Sequence, residues 1–335
     1  MENQNKRKIF FRENINEISI AVLIVIFLIA SPFLSEYFMT VTNILNLLRQ
    51  TAYTAIAAIG MFFVILIGGI DLSIGSTIQI VGMASIIMLN NGCGVAPTII
   101  CVILLAMGCG LINGLLVTFG KLQPFVVTLV MKEILAGLIL VISGAQSISG
   151  KNIPKAFINI GTGYIGIVPI PVVIMVIAFI VALFVMSKTV YGRQLYVTGS
   201  NALAAYNSGV KVRFYRVSAY VFCSLCAAIS GLLTVTRTGA FQPSTSSQGA
   251  AGMEMNAIAA VALGGASLAG GTGSVTGALL GALLYGLLSN LFSLIGVSSY
   301  LQQLVQGLII LFAVIISVKD SSSAFNKLKI WIRRK

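Results

Sequence analysis

The sequence contains no histidine and only eight aspartate and glutamate residues among its 335 positions. Histidine is the usual general base, proton relay and metal ligand of proteins, so these chemistries lack their commonest residue here. The eight carboxylates are scattered along the chain, without a pair at a spacing typical of acid–base catalysis. We therefore predict that the chain is not an enzyme, and that it binds neither a metal ion nor a cofactor of its own.

Charged residues of both signs are scarce, at 9% of the chain, whereas apolar residues make up 58% and the mean hydropathy is +1.02. A soluble domain carries about 25% charged residues, so this composition excludes a soluble protein. The long apolar runs predict an all-α integral membrane protein. Because one crossing takes roughly 20 apolar residues, the apolar content suffices for about ten transmembrane helices.

Apolar runs between glycine, proline and charged residues locate the predicted spans. They are residues 18–34, 51–67, 74–89, 95–119, 124–142, 168–186, 214–235, 255–268, 275–295 and 301–318. The third and eighth spans are the shortest and contain the most small residues. We expect these two to be kinked, or to be shielded by neighbouring helices rather than by lipid.

A net charge of +13 would suggest a nucleic-acid partner in a soluble protein. Here most of the 21 Lys and Arg residues fall in loops on one side of the membrane, which marks that side as cytoplasmic. Only Arg49, Lys151, Lys155 and Arg237 are predicted on the outer side. We predict a single transmembrane domain over residues 1–335, with cytoplasmic tails at 1–17 and 319–335 and a basic cytoplasmic loop at 187–214.

Two motifs that could carry chemistry fit helix packing better. Cys223 and Cys226 form a C-x-x-C pair inside an apolar span, which favours packing over a redox or metal role. Residues 264–273, GGASLAGGTG, lack the G-K-[ST] ending of a phosphate-binding loop. We interpret them as a tight turn, followed by close helix packing through Gly277 and Gly281.

One aspartate, Asp71, lies in the segment GGIDLSIG at residues 68–75, at the end of the second predicted span. An ionisable residue at membrane depth is by default functional. The alternative is that Asp71 accepts N–H groups near Ser73 and caps the next helix, in a turn that Gly68 and Gly69 permit. We favour the capping role.

These segments, in this order, resemble the ribose-type permease family of ATP-binding-cassette importers from about residue 51 to residue 318. The resemblance begins with GGIDLSIG and continues with PFVVTL at residues 124–129. Its further residues are Asn113, Gly114, Gly199, Asn201, Ala204, Ala205, Ser208, Gly209, Glu254, 257–261, Gly264, Gly265, Ser267, Leu268, Gly270, Gly271, Gly273, Gly277, Gly281, Gly286, Asn290, Gly296, Val297, Gln303 and Gly307.

The resemblance implies a membrane subunit that pairs with a second permease subunit, identical or similar, around a central pathway in a bacterial cell membrane. It also implies cytosolic subunits that bind ATP and Mg²⁺, and an external binding protein that delivers ribose or a similar simple sugar. Such a chain has no ATPase site of its own, so its energy comes from the partner. We expect the binding protein to dock on the outer loops at residues 144–167 and 236–253.

The family's coupling pattern falls in the loop at residues 187–214, and implies that residues 199–209 form the helix that docks on the ATPase; the alternative is a solvated basic loop. The predicted coupling residues are Gly199, Asn201, Ala204, Ala205, Ser208 and Gly209. The predicted structural turns and caps are Gly68, Gly69, Asp71, Ser73, Gly264, Gly265, Gly270 and Gly271.

Three departures from the family concern the pathway. Similar proteins usually have small or neutral residues where this chain has Lys132 and Glu133. Because neighbours on a helix point about 100° apart, we expect one of these two to pair with another chain or with an inner carbonyl group. Asn256 stands where the family commonly has Asp, which reduces an acidic cluster at the outer mouth to Glu254, and Ala136 replaces a commonly basic residue.

Most polar residues at membrane depth are neutral amides, which suit a neutral polyol better than an ion. Membrane helices also use amides to hold one another, so not all of them line a pathway. The candidate pathway-lining residues are Gln79, Asn113, Gln123, Glu254, Asn256 and Gln303.

A secondary transporter driven by an ion gradient is the alternative from a different class. It would be supported by internal repeats, and residues 68–76 do faintly resemble residues 264–274. The lack of histidine and of paired acidic residues in the membrane disfavours coupling to protons or sodium ions.

Overall fold

The structure is a computed structural model that describes residues 15–151, 153–243, 252–298, 300–305, 307, 308 and 311. Within these residues the chain is mostly helical, with only four two-residue strands, which confirms the all-α membrane fold. The helices are α1 (Ile15–Leu34), α2 (Val41–Leu66), α3 (Ile74–Asn90), α4 (Val95–Thr118), α5 (Pro124–Ser143), α6 (Lys155–Thr162), α7 (Ile170–Lys188), α8 (Val190–Ser200), α9 (Ala202–Asn207), α10 (Val212–Thr238), α11 (Met253–Leu263) and α12 (Val275–Leu294). Four two-residue strands accompany them, β1 (Ile148–Ser149), β2 (Tyr164–Ile165), β3 (Val168–Pro169) and β4 (Ala240–Phe241).

Seven of the described helices, α1, α2, α4, α5, α7, α10 and α12, are long and apolar enough to cross a membrane. The shorter apolar helices are α3, with 17 residues, and α11, with 11. They correspond to the third and eighth predicted spans, and both are mostly buried by other helices, as expected. Most of the tenth predicted span, the tail at 319–335 and residues 1–14 lie outside the described residues. The count of ten crossings and the cytoplasmic termini stay predictions.

The helix α2 lies at the centre of the bundle, and every residue from Thr51 to Leu66 is buried. It crosses α10 at Gly60, where a Cβ atom would lie 2.7 Å from the Cβ of Cys226. Cys223 and Cys226 are buried and form no disulfide, which agrees with the packing role. The described residues contain no group of three or more His, Cys, Asp or Glu that could hold a metal ion.

The helix α2 begins at Val41, well before the predicted start at residue 51, because its polar residues have partners inside the protein. Asn43 and Asn290 exchange two hydrogen bonds of 3.0 Å between α2 and α12. Arg49 is buried, with its guanidinium 5.1 Å from the ring centroid of Tyr164. Arg49 therefore lies inside a helix rather than in a loop, and it contacts Tyr164 of the predicted outer loop at residues 144–167.

At the end of the bundle opposite the turn between α2 and α3, the two predicted outer loops are joined by a strand pair. β1 pairs antiparallel with β4, with Ile148 opposite Phe241. β2 and β3 form a second small hairpin directly before α7. The short helix α6 packs on α10, where a Cβ at Gly161 would lie 2.6 Å from the backbone nitrogen of Arg237. We call this end the β1–β4 end.

Candidate coupling and pathway site

A buried turn at residues 67–73 joins α2 to α3. The Oδ1 atom of Asp71 accepts hydrogen bonds from the backbone N–H of Ser73, at 2.9 Å, and from its hydroxyl, at 2.6 Å. Nδ2 of Asn113 on α4 donates to the same hydroxyl at 2.9 Å. All three residues are shielded from solvent. Asp71 thus orders Ser73 directly before α3, but among the described residues no side chain bonds the first N–H groups of the helix itself. The capping role of Asp71 stays a prediction.

Glycines bring this turn into contact with a second turn, at residues 264–274 between α11 and α12; we call the end formed by both turns the glycine-rich end. The N–H of Gly271 donates to the carbonyl of Leu66, the last residue of α2, at 2.8 Å. A Cβ at Gly270 would lie 2.7 Å from the backbone nitrogen of Gly68. A side chain at Gly69 would lie 2.5 Å from the hydroxyl of Tyr220.

Positive φ angles are a second reason for glycine at this end. Gly68, Gly265, Gly270 and Gly271 have φ values of +76°, +79°, +91° and +80°. L-residues with a side chain rarely adopt this region, whereas glycine enters it without steric cost. The two turns that the sequence predicts are therefore present, and the structure brings them together.

The helix α8 ends in the same junction. A Cβ at Gly271 would lie 2.7 Å from the Cα of Ser200, the last residue of α8. A Cβ at Gly199 would collide with the carbonyl oxygen of Leu66. The end of α8 therefore contacts the end of α2 and the turn after α11 through backbone atoms. No side chains lie between these segments at the contact.

Hydrogen bonds add α1 and α12 to this junction. The hydroxyl of Tyr196 on α8 donates to the carbonyl of Gly273 at 2.8 Å. Burial, and after it the nearby carboxylate of Glu17, raises the pKa of Tyr196, so its hydroxyl keeps the proton that it donates. Ser274 donates its hydroxyl to the carboxylate of Glu17 on α1 and accepts the N–H of Gly277 at 2.8 Å, which caps α12.

The predicted coupling residues 199–209 form the end of α8 and the short helix α9. Oδ1 of Asn201 accepts the N–H groups of Leu203 and Ala204 at 3.1 and 3.0 Å, which caps α9. The helix ends at Asn207, and Gly209, which follows its C-cap Ser208, has a φ of +81° and open space around it. Ala205 is buried, whereas Ala204 and Ser208 are exposed.

Two large apolar side chains on α9 have no cover from this chain. Leu203 is 72% exposed and Tyr206 is 66% exposed. They lie three residues apart, so they share one side of the helix. The sequence analysis singled out neither residue, although their spacing of three residues is typical of one face of a helix.

The helix α11 has 11 residues and is therefore about 16 Å long, roughly half the thickness of a bilayer core. It packs closely on α12, because a Cβ at Gly264 would lie 2.8 Å from the nitrogen of Ala278. A Cβ at Gly281 would lie 2.8 Å from the nitrogen of Gly264. The predicted packing of small residues is present at this crossing.

An ion pair joins the start of α11 to the middle of α5. Nζ of Lys132 lies 2.7 Å from Oε1 of Glu254, and the two side chains are 33% and 4% exposed. The carbonyl of Lys132 accepts the hydroxyl of Ser76 on α3 at 3.1 Å. Lys132 thus pairs within the chain, so the expectation that one of the two residues pairs with another chain or an inner carbonyl group stays a prediction for Glu133. Glu133 is exposed.

The candidate pathway-lining residues lie in different surroundings. Glu254 is buried in its ion pair, and Asn113 is buried in the turn network, away from any exposed face. Oδ1 of Asn256 accepts the hydroxyl of Tyr285 at 2.8 Å, and this residue is half-buried. Gln79 is also half-buried, whereas Gln123 and Gln303 are exposed. The structure does not bring the six together at one surface.

The comparisons with known proteins concern nearly the whole chain. Residues 43–314 match the family described as "branched-chain amino acid transport system / permease component". The chain is 38% identical to the ribose import permease protein RbsC of Haemophilus influenzae, over 94% of this chain and 97% of that protein. It is 37% identical to the protein of the same name in Bacillus subtilis, over 90% and 91%.

A further relative carries a different sugar in its name. The chain is 33% identical to the D-allose transport system permease protein AlsC of Escherichia coli, over 88% of each chain. No solved structure matches the chain. Because the family match and these relatives each extend over most of the sequence, the chain belongs to this family of multi-pass membrane permease components.

Proposed function

We propose that this chain is the membrane-spanning permease subunit of an ATP-binding-cassette importer for a monosaccharide. The relatives are named for the import of ribose and for the transport of D-allose, and the chain covers at least 88% of each of them. In this proposal the chain lies in a bacterial cell membrane and pairs with a second permease subunit. Cytosolic subunits hydrolyse ATP, and an external binding protein delivers ribose or a similar sugar.

The observation that carries the proposal is the backbone junction between α8 and the bundle. An ATPase outside the membrane can act on the pathway only if its docking element is rigidly connected to membrane helices. Here Gly199 and Ser200 touch Leu66 and Gly271 without intervening side chains, and α9 follows directly with exposed Leu203 and Tyr206. A displacement of α9 would therefore be transmitted through these backbone contacts to α2 and to the turn after α11.

At the opposite end, the β1–β4 pair gives the external binding protein one joined surface rather than two separate loops. The pair connects the segment before α6 to the segment after α10. In our proposal the binding protein docks here and the ATPase docks at the glycine-rich end, with the single domain of residues 1–335 between them.

The test is uptake of D-ribose by cells that express this chain with its ATPase and binding protein, and the variant is Gly209→Arg. Gly209 has a φ of +81° and follows α9 directly after its C-cap, so a side chain there strains the docking segment. We expect the variant to reach the membrane and to lose uptake. The matched control is Gly92→Arg, which has a φ of +82° and equally open surroundings in the loop between α3 and α4, and which should keep uptake.

The energy source separates the proposal from an ion-driven transporter. Uptake should stop when ATP is depleted and should survive collapse of the ion gradients. Uptake that follows the ion gradient, or normal uptake by Gly209→Arg, would contradict the proposal.

A further inference from the structure

Glu133 is a charged residue in the middle of a membrane helix. It is the tenth of the 20 residues of α5, so it lies about 13 Å from the start of a helix about 30 Å long. The neighbouring loops at either end are therefore too far away to bring the carboxylate to the membrane surface easily.

The side of α5 on which Glu133 lies is turned away from the bundle. The buried residues of α5 are Val127, Thr128, Met131, Leu135 and Ile139, which pack on α3 and α4. Glu133 follows Met131 by two residues and is rotated from it by about 200°. It is exposed, and among the residues that the structure describes none forms a hydrogen bond or an ion pair with it.

Lipid cannot be the natural surroundings of this carboxylate. An ionised residue at the bilayer centre costs at least about 2.5 kcal/mol, and such residues face water-filled cavities or other protein. Lys132 is 33% exposed beside it, and Ala136, half-buried, lies between them around the helix. The sector of α5 from Lys132 through Ala136 to Glu133 therefore requires polar surroundings.

The other flank of α5 suits lipid. Ile134 and Leu138 are apolar and exposed, at 58% and 44%, and they lie on the side of Glu133 that is remote from Lys132. At the level of Glu133, the boundary between polar and apolar surroundings thus passes between Glu133 and Ile134.

We propose that Glu133 lines the water-filled translocation pathway at mid-membrane and accepts hydrogen bonds from the hydroxyl groups of a neutral sugar. This inference rests on the proposed function and names the substrate class of the pathway. Because Glu254 neutralises Lys132 at 2.7 Å, the sector keeps one net negative charge, that of Glu133. The pathway therefore disfavours anionic sugars such as uronates and sugar phosphates.

The first test measures which faces of α5 meet water in the assembled transporter. Single cysteines replace Glu133, Ala136 or Ile134 in a background in which Ala replaces the five native cysteines, and membrane vesicles are treated with membrane-impermeant methanethiosulfonates. We expect reaction in the Glu133→Cys and Ala136→Cys variants and none in Ile134→Cys, the matched control one residue along. Equal reaction in Glu133→Cys and Ile134→Cys, or spontaneous cross-linking of two Glu133→Cys chains without reagent access, would overturn the proposal.

The second test detects the charge of Glu133 in place. In the Ala136→Cys variant a cationic methanethiosulfonate should react about tenfold faster than an anionic one, because the carboxylate attracts it. The preference should disappear in Ala136→Cys/Glu133→Gln and should persist in Ala136→Cys/Gln123→Ala. A preference that survives Glu133→Gln would show that the carboxylate does not control the pathway.

The third test is uptake of radiolabelled D-ribose. Glu133→Gln keeps a hydrogen-bonding group and should raise the half-saturating concentration about threefold, whereas Glu133→Ala should raise it about tenfold, as expected for a charge-assisted hydrogen bond. Equal, unchanged uptake by both variants would count against the proposal. Cysteine labelling needs neither ATP nor sugar, so the two proposals can fail separately. Labelling of Glu133→Cys without ATP-driven uptake would refute only the importer function. ATP-driven uptake without labelling of Glu133→Cys would refute only the role of Glu133.

Discussion

The backbones of Gly199 and Leu66 approach each other more closely than any side chain at position 199 would allow. Gly199 belongs to α8 and Leu66 ends α2, so this contact fixes the position of the segment outside the bundle against its central helix. The contact exists because residue 199 has no Cβ. It predicts that Gly199→Ala destabilises the protein, whereas helix propensity alone predicts the opposite.

By propensity, alanine is better than glycine in a helix by about 1 kcal/mol. We expect Gly199→Ala to be destabilising nevertheless, because its Cβ meets the Leu66 carbonyl and the nitrogen of Gly271 at 3.0 Å. The measurement is the thermal denaturation of the detergent-solubilised protein. The control is Gly108→Ala in α4, which has nothing within 4 Å and should be neutral or stabilising. An increase in stability for Gly199→Ala would contradict the close approach.

The hydrogen bond from Tyr196 to the carbonyl of Gly273 gives a second prediction. Tyr196→Phe removes the donor and leaves a half-buried carbonyl unsatisfied, so we expect a loss of about 1 kcal/mol. The control Tyr206→Phe changes the same group on an exposed ring and should cost much less. Equal denaturation temperatures for the two variants would contradict the structural role of this bond.

The exposed apolar side chains of α9 predict a docking surface, which rests on the proposed function. Leu203→Glu places a charge where an apolar contact with the ATPase is expected. We expect the ATPase subunit to be lost when the complex is purified, while the variant remains folded. The control is Ile167→Glu, which is 84% exposed in the hairpin at the β1–β4 end and should keep the ATPase bound. Retention of the ATPase by Leu203→Glu would exclude this surface.

Patterns within short stretches of the sequence predicted much of this structure. The glycine turns at residues 67–73 and 264–274 follow from local chain geometry. The two short spans were predictable because small residues occur where helices approach closely. The glycines also indicated the crossing of α11 and α12.

Features that depend on contacts distant in sequence were not predictable in this way. The start of α2 at Val41 depends on Asn43 finding Asn290, 247 residues away. Lys132 finds Glu254 across 122 residues, and no local pattern marks either partner. The burial of Asn113 was not predictable either. In the sequence its amide fits a pathway-lining residue, and only the structure shows that it donates a hydrogen bond to Ser73.

The ion pair between Lys132 and Glu254 gives the last prediction, a double-mutant cycle. Lys132→Met leaves a carboxylate that is only 4% exposed without its cation, and we expect a loss of about 1–3 kcal/mol, below the value for a fully buried pair because Lys132 is one-third exposed. Glu254→Gln should cost less, because an amide is neutral and the partly exposed ammonium of Lys132 keeps access to solvent.

The double variant Lys132→Met/Glu254→Gln should regain most of the stability lost in Lys132→Met, because it leaves no unpaired charge at this site. Denaturation temperatures of the four proteins give the coupling between the two residues, and Glu133→Gln serves as the control, because Glu133 pairs with neither of them. Additive losses would mean that the two charges act independently. Recovery in the double variant, with a normal Glu133→Gln, would show that α11 is held to the middle of α5 by this pair.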